Sequence, residues 1–123
     1  MNEQQERVIP EAEKRDSHAA PVKAQTHTHE FMGSTQLAGA IVHNHRFAGV
    51  TGQEIPTGDS HVHSLMTNTD FDIGHLHEIG VVTGPAIYVG SGRHVHFAYG
   101  DTTLNLGHVH AFIFATLIED PLG

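Results

Sequence analysis

Twelve of the 13 histidines in this 123-residue chain fall into six His-x-His pairs: His27/His29, His43/His45, His61/His63, His75/His77, His94/His96 and His108/His110. His18 stands apart. Random placement of 13 histidines would give roughly 1.4 such pairs, so the spacing is a unit rather than a by-product of composition. Imidazole is the commonest side-chain metal ligand, and two of them at i and i+2 on a strand point the same way. Each pair thus offers two ligands to one ion. Two pairs would build a tetrahedral four-His site of the kind zinc accepts; three would build an octahedral six-His site suited to Fe(II), Ni(II) or Co(II). Both would be coordinatively full. Such ions staple a fold and leave no open position to activate water, which argues against an enzyme.

The residues after each pair reveal the element that must carry it. Eight residues after the first His stand Thr35, Thr51, Thr69, Thr83, Thr102 and Thr116. With 11 Thr in the chain, six coincidences out of six have a chance below roughly one in a million, which marks an internal repeat. Four residues after the first His stand Phe31, Phe47, Leu65, Ile79, Ala98 and Phe112, apolar every time. Steps of 0, 2, 4 and 8 share one face of a strand, whereas a helix would scatter them. The threonine is either a hydrogen-bonding partner for the histidines or a good strand residue before a turn. The opposite face is mostly polar in the first four units, with residues such as Glu30, Asn44, Arg46, Ser64, Asn68 and Glu78, and should face solvent. In the last two it holds Val95, Phe97, Tyr99, Val109 and Ile113, so those strands are expected to be covered on both sides.

A longer period is superposed. Odd-numbered pairs begin at 27, 61 and 94 and even-numbered ones at 43, 75 and 108, so the chain is three double units. The even units run on into TGQEIPTG (51–58), TGPAIYVG (83–90) and TLIEDPLG (116–123), which puts Gly58, Gly90 and Gly123 at one repeat position. Glycines next to the pairs, such as Gly74 and Gly107, allow tight turns between strands. The expected fold is all-β: a repeat of short strands forming an intertwined or three-fold β needle or prism, with metal ions along its axis.

Composition narrows the function classes. The length suits one domain. Apolar residues make up 38% and Trp is absent, so the greasy core is small and ions would add stability. Without Cys there are no disulfides, thiolate metal sites or cysteine nucleophiles. A formal charge of −8 argues against nucleic acid and anionic membrane surfaces as partners and favours cations. Residues 1–26 carry no apolar periodicity and read as a flexible N-terminal arm; residues 27–123 form the metal-binding domain and keep nine acids against Arg46 and Arg93. The first residues, MNEQQERVIP, do not resemble a signal peptide, and nowhere do 18 apolar residues run together. Either the cytoplasm or an assembled appendage or virion-like structure is therefore expected as the location.

Two other readings compete. An acidic, His-rich surface can chelate ions loosely or sense pH. Against this, an apolar residue beside each pair turns the His face inward, where neutral imidazoles need partners. The second reading is a cupin-like metalloenzyme, in which His-x-His, a nearby Glu and a later His hold a catalytic metal. Glu30 and Glu78 invite the comparison, but each lies on the opposite strand face from its pair and occurs in only two of six units. Asp70 and Asp72, near His75, read as turn residues.

The segments HNHRFAGVTG, TNTDFDIGHLHEIGVVTGPAIYVGSGRHVHF and FATLIEDP resemble the YmaF family, small histidine-rich bacterial proteins; the resemblance covers roughly 27–123. The HxHxφxGxT pattern is also similar to the needle at the tip of certain phage long tail fibres. That resemblance implies an intertwined β trimer whose His-x-His pairs surround iron octahedrally. The glycine of the pattern is kept at Gly33, Gly49 and Gly100 and replaced by Thr67, Val81 and Phe114. Together these features lead to a structural, non-catalytic metal-binding protein using all 12 paired histidines. The expected assembly is a homotrimer, in which each pair meets its symmetry copies and the arm docks neighbouring copies into a filament. The cofactor is a divalent transition metal, with Fe(II) favoured for six-His sites and Zn or Ni as alternatives. The other arrangement is a lone chain that gathers its own pairs about an internal three-fold, as a monomeric metal-binding or metal-buffering protein.

Overall fold

A computed structural model describes residues 26–119, and every regular element among them is a strand. Three hairpins of five-residue strands carry the repeat. They pair β1 (Glu30–Ser34) with β2 (Arg46–Val50), β5 (Ser64–Asn68) with β6 (Glu78–Val82), and β9 (Phe97–Asp101) with β10 (Ala111–Ala115), all antiparallel. Two small hairpins link them: β3 (Ile55–Thr57) with β4 (Ser60–Val62), and β7 (Ile87–Gly90) with β8 (Arg93–Val95). The expected arm lies outside the described residues but for Thr26, and so do His18 and Gly123.

The large hairpins close into a ring. Strand β2 neighbours β5, β6 neighbours β9, and β10 returns to β1. Equivalent backbone bonds seal the joints: the N–H groups of Asp70, Thr103 and Leu117 donate to the carbonyls of Arg46, Glu78 and Glu30 at 2.8, 2.9 and 2.9 Å. A second set runs from Gly52, Gly84 and Gln36 to Ser64, Phe97 and Ala111 at 2.9, 2.8 and 2.8 Å. Two sets of three equivalent bonds make the chain pseudo-three-fold. That symmetry is the structural form of the three double units.

Alternation decides what lies inside. Positions 0, 2, 4 and 8 of each unit face inward as the two-residue period requires, and the fourth supplies a single cluster of Phe31, Phe47, Leu65, Ile79, Ala98 and Phe112, joined by Phe114. The strands are antiparallel, so odd pairs lie at one end of this cluster and even pairs at the other. The core is a thin apolar layer between two layers of histidine.

The outward face of the last two units departs from expectation. Phe97, Tyr99 and Ile113 are 46%, 71% and 60% exposed, because the ring has a single layer of hairpins and nothing among the described residues lies over it.

Candidate metal centres

The six repeated threonines fix the backbone of the inner histidines. Thr51 Oγ1 accepts the N–H of His29 at 3.0 Å, and Thr35, Thr69, Thr83, Thr102 and Thr116 do the same for His45, His77, His63, His110 and His96 at 2.9 to 3.1 Å. Each threonine N–H also donates to the carbonyl of the same histidine at 2.8 or 2.9 Å. Hydrogen bonding is therefore the threonine's role, directed chiefly at the histidine main chain; Thr51 and Thr83 also lie 3.5 and 3.4 Å from the ring Nδ1 of His63 and His96.

The next residue fixes the ring. His29 Nδ1–H donates to the carbonyl of Leu117 at 2.8 Å, and His63, His77, His96 and His110 donate to those of Gly52, Thr103, Gly84 and Gln36 at 2.8 or 2.9 Å. His45 Nδ1 faces both the carbonyl and the carboxylate of Asp70, at 3.1 and 3.0 Å. A backbone carbonyl can only accept, so the proton sits on Nδ1 and the lone pair on Nε2. Second-sphere acceptors of this kind orient metal-bound imidazoles and raise their basicity.

Those lone pairs converge twice. His27, His29, His61, His63, His94 and His96 place one ring nitrogen each within 4.8 Å of all the others, and so do His43, His45, His75, His77, His108 and His110. In the odd set the outer rings form a triangle, with Nε2 of His27, His61 and His94 separated by 3.0 to 3.1 Å, and His29 adds a 3.1 Å contact to His94. In the even set the Nε2 contacts His43–His75, His45–His75 and His77–His108 measure 3.2 to 3.3 Å. An ion bonded at about 2.1 Å holds octahedral neighbours about 3.0 Å apart and opposite ligands about 4.2 Å apart. The six nitrogens match that spacing with little expansion, and their number fits the six-His alternative rather than the four-His one. Each set is complete within one chain, with odd units grouped together and even units grouped together.

Without a cation the arrangement would be costly. Nitrogens carrying lone pairs face one another, and Nε2 of His63, His96 and His110 are buried with no hydrogen-bond partner. Buried polar atoms of this sort cost about 1–3 kcal/mol each when unsatisfied. A shared metal ion would satisfy all six at once.

A family model described as spore germination protein GerY/YamF matches residues 24–118, which include every paired histidine. The chain belongs to the YmaF family. No curated protein and no solved structure matches it.

Burial sets the protonation of the YmaF-family rings. Desolvation lowers His29 and His96 from 6.5 to about 4; the carbonyls of Leu117 and Gly84 pull the other way, and neighbouring histidines depress both further. Burial likewise lowers His61, His63, His77, His94 and His110. Neutral imidazole is the form that binds metal.

Two carboxylates also belong to the odd centre. Glu119 Oε2 lies 3.0 Å from His94 Nδ1 while Oε1 accepts the His94 N–H at 3.0 Å, and Glu54 Oε1 stands 3.8 and 3.7 Å from Nδ1 of His27 and His61. Burial raises the Glu119 carboxyl, but the N–H of His94 and the nearby rings outweigh it, and the group sits below the ordinary carboxylate range. Both glutamates stand three residues after a repeat threonine, a shared position that sequence reading could have used. By contrast Glu30 and Glu78 are exposed on the outer face, away from either centre. Asp72 accepts the N–H of Ile73 at 3.0 Å and serves the turn, whereas Asp70 reaches His45 and is more than a turn residue.

Proposed function

We propose that the domain binds two divalent transition-metal ions per chain in six-His sites, and that these ions hold the fold together rather than catalyse a reaction. The carrying observation is the convergence of six Nε2 lone pairs at each end of the ring, with inner rings held by Nδ1–H bonds to main-chain carbonyls. Six imidazoles at one ion leave no place for substrate or water. Octahedral nitrogen coordination suits Fe(II) and Ni(II), with Zn(II) as the other candidate.

One chain supplies all the ligands, which supports a monomer as the metal-binding unit. A homotrimer or filament would then arise from the outer surfaces, with the ions playing no part in joining copies. The family's description as a spore germination protein suits a module that must last without disulfides: bonds to metal replace both a large core and covalent cross-links. Elemental analysis combined with native mass spectrometry tests the reading. Two ions on a monomeric mass are expected; three ions per chain, or none after exposure to Fe(II), Ni(II) and Zn(II), would overturn it.

A further inference from the structure

The two centres share their ligands and differ in what surrounds them. At the odd centre all three outer rings have a carboxylate near Nδ1: Glu119 at hydrogen-bonding distance, 3.0 Å, from His94, and Glu54 farther off, acting through charge, at 3.8 and 3.7 Å from His27 and His61. At the even centre the outer rings His43, His75 and His108 point Nδ1 at main-chain carbonyls of their own turns, those of Ile41, Ile73 and Leu106. Among the described residues the even centre's one carboxylate contact is Asp70 on His45 at 3.0 Å, and its side chain is 46% exposed against 13% for Glu119 and 32% for Glu54. The difference is built into the repeat. Glu54, Ala86 and Glu119 occupy one position of the three double units, so two of three equivalent places around the odd centre carry an acid. The corresponding places at the other end hold Ala38, Asp72 and Asn105, and Asp72 is engaged with the N–H of Ile73.

A carboxylate behind a metal-bound imidazole polarises its N–H and strengthens the ring as a donor, and such partners are worth about 10–100-fold in metal affinity. They also bring negative charge close to the ion in a place with little water to screen it. Two acids offset the charge of a divalent cation in full, whereas the exposed Asp70 offsets half of it and is better screened.

Resting on the metal reading above, we infer that the centres are unequal: the odd one, backed by Glu54 and Glu119, fills first and holds its ion about 10–100-fold more tightly than the even one. The domain then has a permanent staple at one end and an exchangeable ion at the other. Loss of metal begins at the His43/His75/His108 end.

The test is a stepwise Ni(II) titration of the chelator-stripped full chain against a competing chelator, with native mass spectrometry counting ions. Two steps at least tenfold apart are expected. His75→Ala should keep the tighter step and His61→Ala the weaker. Glu54→Gln/Glu119→Gln should weaken the tighter step by 10-fold or more while two ions still bind; should that pair fail to fold, Glu54→Gln alone, at a longer-range contact, answers the question. Equal affinities in the unaltered chain, or a tighter step untouched by the glutamine variants, would overturn the inference and leave the metal reading standing. Absence of binding by Ni(II), Fe(II) and Zn(II) alike would end both.

Discussion

Gly49 lies beneath the ring of Phe31 on the neighbouring strand, so close that a Cβ added to it would stand 2.7 Å from Phe31 Cζ. The mirror pair repeats it, with Gly33 under Phe47 at 2.8 Å. Around the ring each fourth-position residue meets the sixth position of its partner strand, and the volumes compensate. Phe31, Phe47 and Phe112 face glycines, Leu65 faces Val81, Ile79 faces Thr67, and Ala98 faces Phe114.

Gly49→Ala should therefore destabilise the domain by about 1–3 kcal/mol, the usual penalty for overpacking. Gly80→Ala is the control, since its Cβ would meet only Met66 Cγ at 3.9 Å. Thermal unfolding of the two variants checks this: a large drop for the first and little change for the second. Equal shifts would show that the glycines matter for chain freedom and not for ring space.

Those compensating pairs also show where sequence reading stops. The His-x-His and threonine steps are legible because a strand's two-residue period maps them directly onto one face. Replacement of the pattern's glycine by Thr67, Val81 and Phe114 reads as a departure in the sequence, because cross-strand register is invisible in a single strand. Once Phe114 is seen opposite Ala98, it is the same volume exchanged across the pair. The grouping of odd with odd pairs is implicit in the double-unit period, yet composition does not say whether one chain or three closes the ring. Nor does it reveal the ring-orienting acceptors at Gly52, Gly84 or Leu117, since these act through main-chain oxygen. The apolar outer face at Phe97 and Tyr99 suggests cover because apolar composition usually means burial; here one layer of hairpins suffices to bury the histidines.

Thr51→Val preserves shape and removes the oxygen that accepts the N–H of His29. Leaving that buried donor unpaired should cost about 1–3 kcal/mol, and Thr51→Ser should recover most of it. Because His29 belongs to the odd six-His cluster, the valine variant should also lose metal faster from that end, read as chelator-induced release. A valine variant as stable and as retentive as the parent would reduce the repeated threonine to a matter of strand preference.

Chelation should loosen the whole domain, since the apolar layer is thin and the ring ends are histidine. Stripping both ions should lower the melting temperature by far more than any single core substitution, and re-addition of metal should restore it. His61→Ala, which removes one odd ligand, should leave the even ion in place and lower the metal count, whereas His18→Ala should change neither count nor melting. An unchanged melting curve for verified metal-free chain would mean that the ions are passengers.

Acid should act on the stripped domain in a defined window. His29 and His96 sit at about 4 in the folded chain against 6.5 in the unfolded one. Between those values the unfolded state takes up protons that the folded state refuses, so stability is fully present above about 6.5 and falls as pH drops toward 4. Five further rings shifted in the same direction steepen the fall. Bound metal occupies the Nε2 lone pairs, so protons must displace an ion before they reach the rings, and the loaded domain should hold to a lower pH than the stripped one. Melting temperatures of both forms from pH 8 to pH 4 check the sign and the order. A stripped domain that melts at one temperature throughout that range would show that its rings are hydrated in the fold, contradicting the burial from which the metal centres are built.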